Sequence, residues 1–211
     1  MGERSGFGEL AEVAVGGWLS LPQPAGSGSL SVEEAIGLRR SVREFAREAL
    51  GLQEISQLVW AAQGVTSPEG LRAAPSAGAC YPLELYLLCE QGMFRYEARK
   101  HVVAKVNAAD LRRPLADAAY GQEFIAEAPV SLVFAAVYRR TTSRYGDRGV
   151  RYVHIDVGHA AQNVHLQAEA LGLASVPVGA FDDAAVAEVL GLPADHEPVY
   201  IISVGRQGCT G

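Results

Sequence analysis

Two stretches of the chain repeat their apolar residues at the spacing of an α-helix. In residues 53–63 apolar side chains fall at positions 55, 58, 59 and 62, and Gly64 supplies a stop. The longest pattern covers residues 156–171, where valines, alanines and leucines form one stripe before Gly172. The alanines of this stripe would let a partner helix approach closely. Both stretches are predicted to be helices.

Capping residues mark the starts of two further helices. Ser31, followed three residues later by Glu34, forms a capping box in which each residue satisfies a free N–H group of the other. Asp182 marks the start of a shorter helix that ends before Gly191. Residues 111–120 also follow a helical pattern.

Strand signals are spread between these helices. Residues 83–89 and 130–138 are apolar runs of strand length, and a turn at Gln91 and Gly92 joins the first run to a second strand at 94–96. Residues 198–204 are the last predicted strand, and residues 66–82 are predicted to form a loop rich in small residues. Because helices and strands do not alternate strictly, we predict an α+β fold with a mostly antiparallel sheet wrapped by helices.

The composition suits one domain, at residues 31–211. The chain has 211 residues, of which 49% are apolar, and this is enough to build a single core. Residues 1–30 contain Pro22, Pro24 and a glycine–serine run, which is typical of an extended arm or a flexible lead-in.

Charge and sequence patterns exclude several classes of protein. The net charge of −6 argues against a general nucleic-acid binder. No apolar run reaches the roughly 20 residues of a membrane span, and the N-terminus lacks the features of a signal peptide. The three cysteines are far apart and odd in number, which favours free thiols over disulfides or a zinc site. We therefore expect a cytoplasmic protein that acts on neither nucleic acid nor membrane.

One basic segment stands out against this acidic background. The sequence RRSVR at residues 39–43 places three guanidinium groups and a hydroxyl within five residues. One guanidinium group can donate two parallel hydrogen bonds to two phosphate oxygens, so the segment favours a doubly charged anion. The alternative is a solvated basic patch. Arg206, which follows the last predicted strand, is either a further cation for the phosphate or an exposed side chain.

Motifs for nucleotide binding, metal binding and hydrolysis are absent or incomplete. Neither G-x-G-x-x-G nor G-x-x-x-x-G-K-[ST] occurs, which argues against a Rossmann site and a P-loop. His154, His159 and His165 are not spaced to share one helix face, so no metal site is predicted. Residues 74–78 partly match a nucleophile elbow around Ser76. A serine hydrolase is therefore one alternative, and a loop of small side chains against which a flat ligand can lie is the other.

A second run of small residues covers positions 177–181, with the sequence PVGAF. We predict that it forms a loop between two helices. Its amide N–H groups would then face a ring heteroatom of a ligand, unless the run is an ordinary helix connector.

Together these segments resemble the nitroreductase family of flavin enzymes, and within it the SagB-type (ThcOx-like) dehydrogenase branch. The resemblance runs in the family's order from about residue 31 to residue 205. The segments that carry it are RRSVREF (39–45), LVWAAQG (58–64), APSAG (74–78), Tyr81-Pro82, Arg151-Tyr152, DVGHAAQN (156–163), LGL (171–173) and VPVGAF (176–181). It implies an α+β nitroreductase-like fold and an interlocked homodimer with FMN sites at the subunit interface.

The resemblance also implies roles for single residues. One group would hold the FMN phosphate, a second would be laid along the flavin by the other subunit, and a third would approach the N5 edge and the pyrimidine ring. The implied phosphate residues are Arg39, Arg40, Ser41 and Arg206; those from the other subunit are Pro75, Ser76, Ala77 and Gly78; those near the ring are Gln122, Pro177, Val178, Gly179 and Ala180. Arg43 would be a cation near the phosphate, the ribityl chain or the pyrimidine edge.

The implied activity is that of an FMN-dependent oxidoreductase. A hydride would pass through flavin N5 from NAD(P)H or an organic donor to an unidentified small acceptor, in ping-pong order. The chain departs from the family at Ala79, where many nitroreductases have asparagine, and at Arg144-Tyr145, where SagB-type enzymes have Lys-Tyr. Arginine is not deprotonated in proteins, so Tyr145 is the candidate catalytic acid or base. A flavin-binding or flavin-processing protein without NAD(P)H turnover is the alternative.

Overall fold

A seven-stranded, wholly antiparallel sheet organises the chain in a computed structural model that describes residues 6–208. The strands lie side by side in the order β1-β4-β3-β2-β5-β7-β6. Their bounds are β1 Trp18–Ser20, β2 Leu83–Cys89, β3 Gly92–Glu97, β4 Val102–Asn107, β5 Val130–Ala136, β6 Ala174–Val178 and β7 Glu197–Gly205. The predicted fold class and antiparallel sheet are confirmed.

Helices cover both faces of this sheet. Their bounds are α1 Gly6–Ala11, α2 Val32–Leu38, α3 Leu52–Gln63, α4 Arg112–Ala118, α5 Glu123–Glu127, α6 Arg139–Tyr145, α7 Arg148–Ala170 and α8 Asp183–Leu190. On one face α3 and α7 pack against alternate residues of the central strands, among them Leu85, Leu87 and Phe134. On the other face α4 and α8 cover residues such as Leu88 and Val133. The central strands are thus buried on both sides, as their continuous apolar runs indicate.

The predicted caps form as expected. The Ser31 side chain accepts a hydrogen bond from the backbone N–H of Glu34 at 3.1 Å, and the Glu34 carboxylate accepts from the N–H of Ser31 at 2.8 Å. Asp182 accepts from the N–H of Ala185 at 2.9 Å, and Gly191 ends α8 in the left-handed conformation with φ of 58°. These caps fix where α2 and α8 begin.

Two predicted boundaries are wrong. The long helix α7 begins at Arg148 and not at 156, because its buried stripe continues through Gly149 and Val153 and includes the buried Asp156. A glycine and a carboxylate do not register as apolar positions in the sequence. The hairpin turn consists of Glu90 and Gln91, since Cys89 pairs with Gly92.

Several short elements were not predicted from the sequence. The short elements β1, β4, β6, α1, α5 and α6 all lie in segments without a clear apolar period. Within residues 6–30, β1 pairs with β4, while Leu10 and Leu21 are buried in the core. Cys80 and Cys89 are free cysteines, and Cys209 lies outside the described residues.

Candidate functional site

The basic segment 39–43 leaves the end of α2 and runs beside the edge strand β6. Ser41 forms a parallel bridge with Ser175, and the N–H of Val42 donates to the Ser175 carbonyl at 3.1 Å. The capping box at Ser31 fixes the start of α2, and Arg39 is its C-terminal cap. Helix and edge strand together therefore hold the basic segment in place.

The guanidinium groups of this segment have no acidic partner in the described part of the chain. Within residues 6–208 no carboxylate forms an ion pair with Arg39, Arg40 or Arg43. Arg40 Nη1 donates to the carbonyl oxygens of Gly37 and Arg39 at 3.0 and 2.8 Å. Arg43 lies over the ring of Phe124, with its guanidinium carbon 5.8 Å from the ring centre. Three cations on an acidic protein thus remain available to an anion.

Arg206 differs from these three because its charge is already compensated. Its Nε donates to Glu48 at 2.6 Å and its Nη2 donates to Glu54 at 3.0 Å. The hydrogen bond to Glu48 raises the pKa of Arg206. Its carbonyl oxygen accepts from the N–H of Ala46 at 3.0 Å. Arg206 therefore lies next to the basic segment but is engaged by two carboxylates.

The second run of small residues is only partly a loop. Pro177 and Val178 belong to β6 and pair with Ile202 and Ile201, so the prediction of a loop between two helices is wrong for them. Proline is compatible with this position because β6 is an edge strand. Gly179 and Ala180 follow the strand and are exposed. Gly179 lies four residues beyond Ser175, which corresponds to about 13 Å of extended chain.

Gln122 joins this loop. Its Nε2 donates to the carbonyl oxygens of Ala180 and Ala119, each at 2.8 Å. These bonds use both hydrogens of the carboxamide and leave its oxygen free to accept a bond from a ligand. Gln122, Gly179 and Ala180 therefore form one polar corner at the far end of β6 from the cations.

A cavity of about 460 Å³ opens beside Gly179. Its other lining side chains include Tyr138, His154 and Tyr200, and Tyr138 Oη lies 2.6 Å from His154 Nε2. Burial raises the pKa of Tyr138, and the carboxylate of Glu197 adds to this effect. A hydroxyl and an imidazole in such close contact can pass a proton between them.

The loop at residues 75–78 is fixed by a buried carboxylate on α7. Ser76 Oγ donates to Asp156 Oδ2 at 2.7 Å and accepts from the N–H of Tyr81 at 2.9 Å. The N–H of Ala77 donates to Asp156 Oδ1 at 3.3 Å. The hydroxyl of Ser76 thus meets a carboxylate and not a histidine base, which argues against a serine hydrolase.

Tyr145 and Arg144 lie directly over this loop. Arg144 Nη1 donates to the carbonyl of Gly78 at 3.1 Å. A Cβ atom at Gly78 would lie 2.5 Å from Tyr145 Oη and 2.7 Å from Arg144 Nη1, so a larger residue there would displace the ends of these two side chains. The ring of Tyr145 also meets Tyr152 edge-on, with 5.1 Å between ring centres. The candidate catalytic tyrosine is therefore held against the loop.

The structure thus gathers the predicted residues into two groups. One group follows β6, from the cations at 39–43 to Gln122 and Ala180, and the other joins the loop 75–78 to Asp156 and Tyr145. Among the described residues no hydrogen bond or ring contact links the two groups within one chain. Helix α7 passes both groups, since it carries Asp156 in the second group and lines the cavity beside Gly179 with Val157 and Gly158.

One buried histidine belongs to the first group and was not predicted to do so. His165 lies on α7, and its Nδ1 is 2.8 Å from Ser175 Oγ. Its Nε2 is buried without a hydrogen-bond partner among the described residues. Burial, helped by the charge of Arg39, lowers the pKa of His165 to about 4. A lone histidine on a helix gives no signal in the sequence that it faces Ser175.

Two features are absent from the described residues. Among residues 6–208 no group of three or more histidine, cysteine or acidic side chains is arranged to hold a metal ion. No helix in that range is both long and apolar enough to cross a membrane. The donors that are present, guanidinium groups with backbone and carboxamide groups, fit an organic phosphate.

Comparison with known proteins agrees with this fold. The profile of the Nitroreductase family matches residues 36–206. A Methanocaldococcus jannaschii protein, provisionally named a nitroreductase, is 44% identical over 184 residues, which cover 84% of this chain and 92% of that protein. The chain therefore belongs to the nitroreductase family.

Solved structures share the architecture. The crystal structure of a provisionally assigned nitroreductase from Ralstonia eutropha superposes with a TM-score of 0.83 at 31% identity, covering 91% of this chain and 90% of that one. The NADPH:FMN oxidoreductase of Vibrio harveyi, solved with NAD+, gives a TM-score of 0.64 at 22% identity, over 84% and 69% of the two chains. Family membership makes this chain an oxidoreductase of a group that is usually flavin-dependent.

Proposed function

We propose that this protein is an FMN-dependent oxidoreductase that uses NADH, NADPH or an organic donor to reduce a small acceptor. The observation that carries the proposal is the set of three uncompensated guanidinium groups beside β6, the strand that leads to the polar corner at Ala180. This layout suits a ligand with a phosphate at one end and a flat polar ring at the other.

The phosphate end would be held by Arg39, Arg40 and Ser41, with Arg43 nearby. A phosphate dianion needs several charge-assisted donors, and each such bond contributes about 1.5–3 kcal/mol. Three of them would retain FMN without a covalent link. Because Arg206 is already paired with Glu48 and Glu54, it would contribute mainly by fixing the neighbouring backbone.

The ring end would be oriented by Gln122, Gly179 and Ala180. The free carboxamide oxygen of Gln122 would accept from a ring N–H, while the backbone N–H groups of Gly179 and Ala180 would face a ring heteroatom. The half-buried Pro177 would contact the ring from the edge strand, whereas Val178, whose side chain is buried in the core, would contribute through its backbone. FMN, when bound, would supply the two-electron chemistry, and the protein would supply position and electrostatics.

The reacting molecules would occupy the 460 Å³ cavity beside Gly179. Its volume falls within the range of about 300–1,000 Å³ that is usual for small-molecule sites. Tyr138 and His154 would hold the proton that accompanies reduction of the acceptor. Tyr145 is the second candidate acid or base; with arginine at position 144 instead of lysine, it would act without a neighbouring base of the SagB type.

A second copy of the chain would complete the site. The loop 75–78, which Asp156 holds in place, would cover the flavin of the other protomer, as the family resemblance implies. The exposed apolar face of α2, with Val32 at 65% and Ile36 at 58% exposure, supports such an interface.

The function is tested by anaerobic mixing of the FMN-loaded protein with NADH and, separately, with NADPH. We expect the flavin absorption bands to bleach with at least one of the two and to return when an organic acceptor is added. The Tyr138→Phe variant should slow the return more than the bleaching. Bands retained with both nucleotides and with organic donors would favour a flavin-binding or flavin-processing protein, and failure to bind FMN would overturn the proposal.

A further inference from the structure

We propose that His165 is a positioning residue that makes this site selective for flavin carrying a phosphate. The inference rests on the proposed function, which it deepens at the phosphate end. It is drawn from a chain of contacts that links the buried imidazole, through Ser175, to the basic segment 39–43.

The first link is the bond between α7 and β6. His165 is only 4% exposed, and its Nδ1 lies 2.8 Å from Ser175 Oγ. Ser175 is also buried, so water cannot take the place of either partner in this bond. A buried side chain that keeps such a bond has a fixed rotamer.

The second link runs from Ser175 to the basic segment. The carbonyl of Ser175 accepts from the N–H of Val42 at 3.1 Å, and Ser41 is its bridge partner. A shift of Ser175 would therefore move the backbone of Ser41 and Val42. The hydroxyl of Ser41 and the guanidinium of Arg39 would move with it.

A further observation concerns the other ring nitrogen of His165. Nε2 of His165 has no hydrogen-bond partner among the described residues although it is buried. Buried polar atoms without partners are rare in folded proteins and call for an explanation. Here the imidazole lies near Arg39, whose charge acts on it. A neutral imidazole at this position adds no positive charge to the cluster and leaves the guanidinium groups to bind the anion.

These contacts assign His165 to the phosphate end and not to the ring end. Its path to the site passes through Ser175, about 13 Å of strand from Gly179. Replacement of His165 should therefore weaken binding of FMN, and it should leave binding of riboflavin, which has the same ring but no phosphate, nearly unchanged.

The test is a titration of the purified apoprotein with FMN and with riboflavin, followed by flavin fluorescence. We expect His165→Leu to raise the FMN dissociation constant about tenfold, the equivalent of one good hydrogen bond. The dissociation constant of riboflavin should change less than about twofold, because riboflavin has no phosphate for the basic segment to contact. His165→Asn should recover much of the FMN affinity, because its carboxamide can bond Ser175.

Two more variants separate positioning from general damage. Ser131→Ala removes another buried hydroxyl, one that bonds Ser203 at 2.9 Å within the sheet, and should leave the ratio of the two constants unchanged. If His165→Leu does not fold, Ser175→Ala breaks the same link and should give the same selective loss.

Each outcome bears on a different statement. This inference alone would be overturned if the wild-type protein preferred FMN and a folded His165→Leu variant preferred it to the same degree. Equal losses for FMN and riboflavin would do the same. A wild-type protein that binds neither flavin would overturn the proposed function together with this inference.

Discussion

At the scale of single residues, Gly78 couples the loop 75–78 to the candidate catalytic tyrosine. Its φ of 59° is in the left-handed region, and a Cβ atom there would lie 2.5 Å from Tyr145 Oη. We expect Gly78→Ala to destabilise the fold by more than the roughly 1 kcal/mol that the backbone conformation alone would cost. Urea unfolding measures the loss.

Gly121→Ala is the matched control for this variant. Gly121 also has a positive φ, of 73°, but a Cβ atom added to it would meet no other atom within 4 Å. The control should show the conformational cost without displacement of Tyr145. Equal losses of stability for the two variants would contradict the close packing of Gly78 against Tyr145.

Ala79, the position where many nitroreductases have asparagine, also has a left-handed backbone with φ of 53°. Asparagine tolerates this conformation better than alanine, because its short polar side chain can hydrogen-bond locally. We predict that Ala79→Asn raises the free energy of unfolding by up to about 1 kcal/mol. The increase is measured by urea unfolding.

Ala194 is a suitable control for Ala79 because it is also exposed in a loop, but without a positive φ. Ala194→Asn should leave stability within about 0.5 kcal/mol of the wild type. A stabilisation of the same size in both variants would mean that the backbone conformation of Ala79 is not its cause.

At the scale of elements, α7 and β6 are joined by the buried pair His165 and Ser175. Because the folded state holds the pKa of His165 at about 4, against 6.5 for an unperturbed histidine, the unfolded chain binds a proton first as the pH falls. The contribution of His165 to stability therefore decreases between pH 6.5 and about 4. Protonation of the unfolded state drives this loss.

The prediction is measured by urea unfolding at about pH 7 and about pH 5, on either side of the ordinary pKa of histidine. The wild-type protein should lose more stability between these values than His165→Leu, which has no group to titrate. Parallel losses in the two proteins would mean that the imidazole is not held neutral in the folded state.

Elements with a clear apolar period could be predicted from the sequence, and others could not. The start of α3 and the caps of α2 and α8 follow from local patterns. The first two turns of α7, at 148–155, contain Gly149, which packs against α6, and they end at Asp156, which is buried against the loop 75–78. The strand β6 contains a proline, and only its pairing with β7 makes it a strand.

At the scale of the whole molecule, the exposed apolar face of α2 is expected to bury itself against a second copy. Ile36→Glu places a charge on this face and should convert a dimer into monomers, with loss of bound FMN. Sedimentation velocity measures both. Val15→Glu is the control, because Val15 is 59% exposed, close to the 58% of Ile36, but lies beside β1.

If Ile36→Glu remained dimeric, the interface would have to lie elsewhere on the surface. If Val15→Glu dissociated equally, the effect would come from added charge in general. The assignment of α2 to the interface requires that only the first variant dissociates.

The candidate site was predicted in part from the sequence. Clustered basic residues on an acidic chain, such as Arg39 and Arg43, can be recognised from the sequence alone. The partners of Ser76 and Gln122 are not, because Asp156 lies 80 residues from Ser76 and Ala180 lies 58 residues from Gln122. Whether Arg206 is free or paired also depends on the fold, since Glu48 is 158 residues away from it.

The central claim is that the cations at 39–43 hold FMN at a site shared by two copies of the chain. Sedimentation velocity of the FMN-loaded protein, recorded at both protein and flavin absorption, tests it most directly. We predict that flavin and protein sediment together as a dimer with one FMN per chain, and that the double variant Arg39→Gln, Arg43→Gln leaves the flavin unsedimented. A monomer, or flavin that still sediments with the double variant, would contradict the claim.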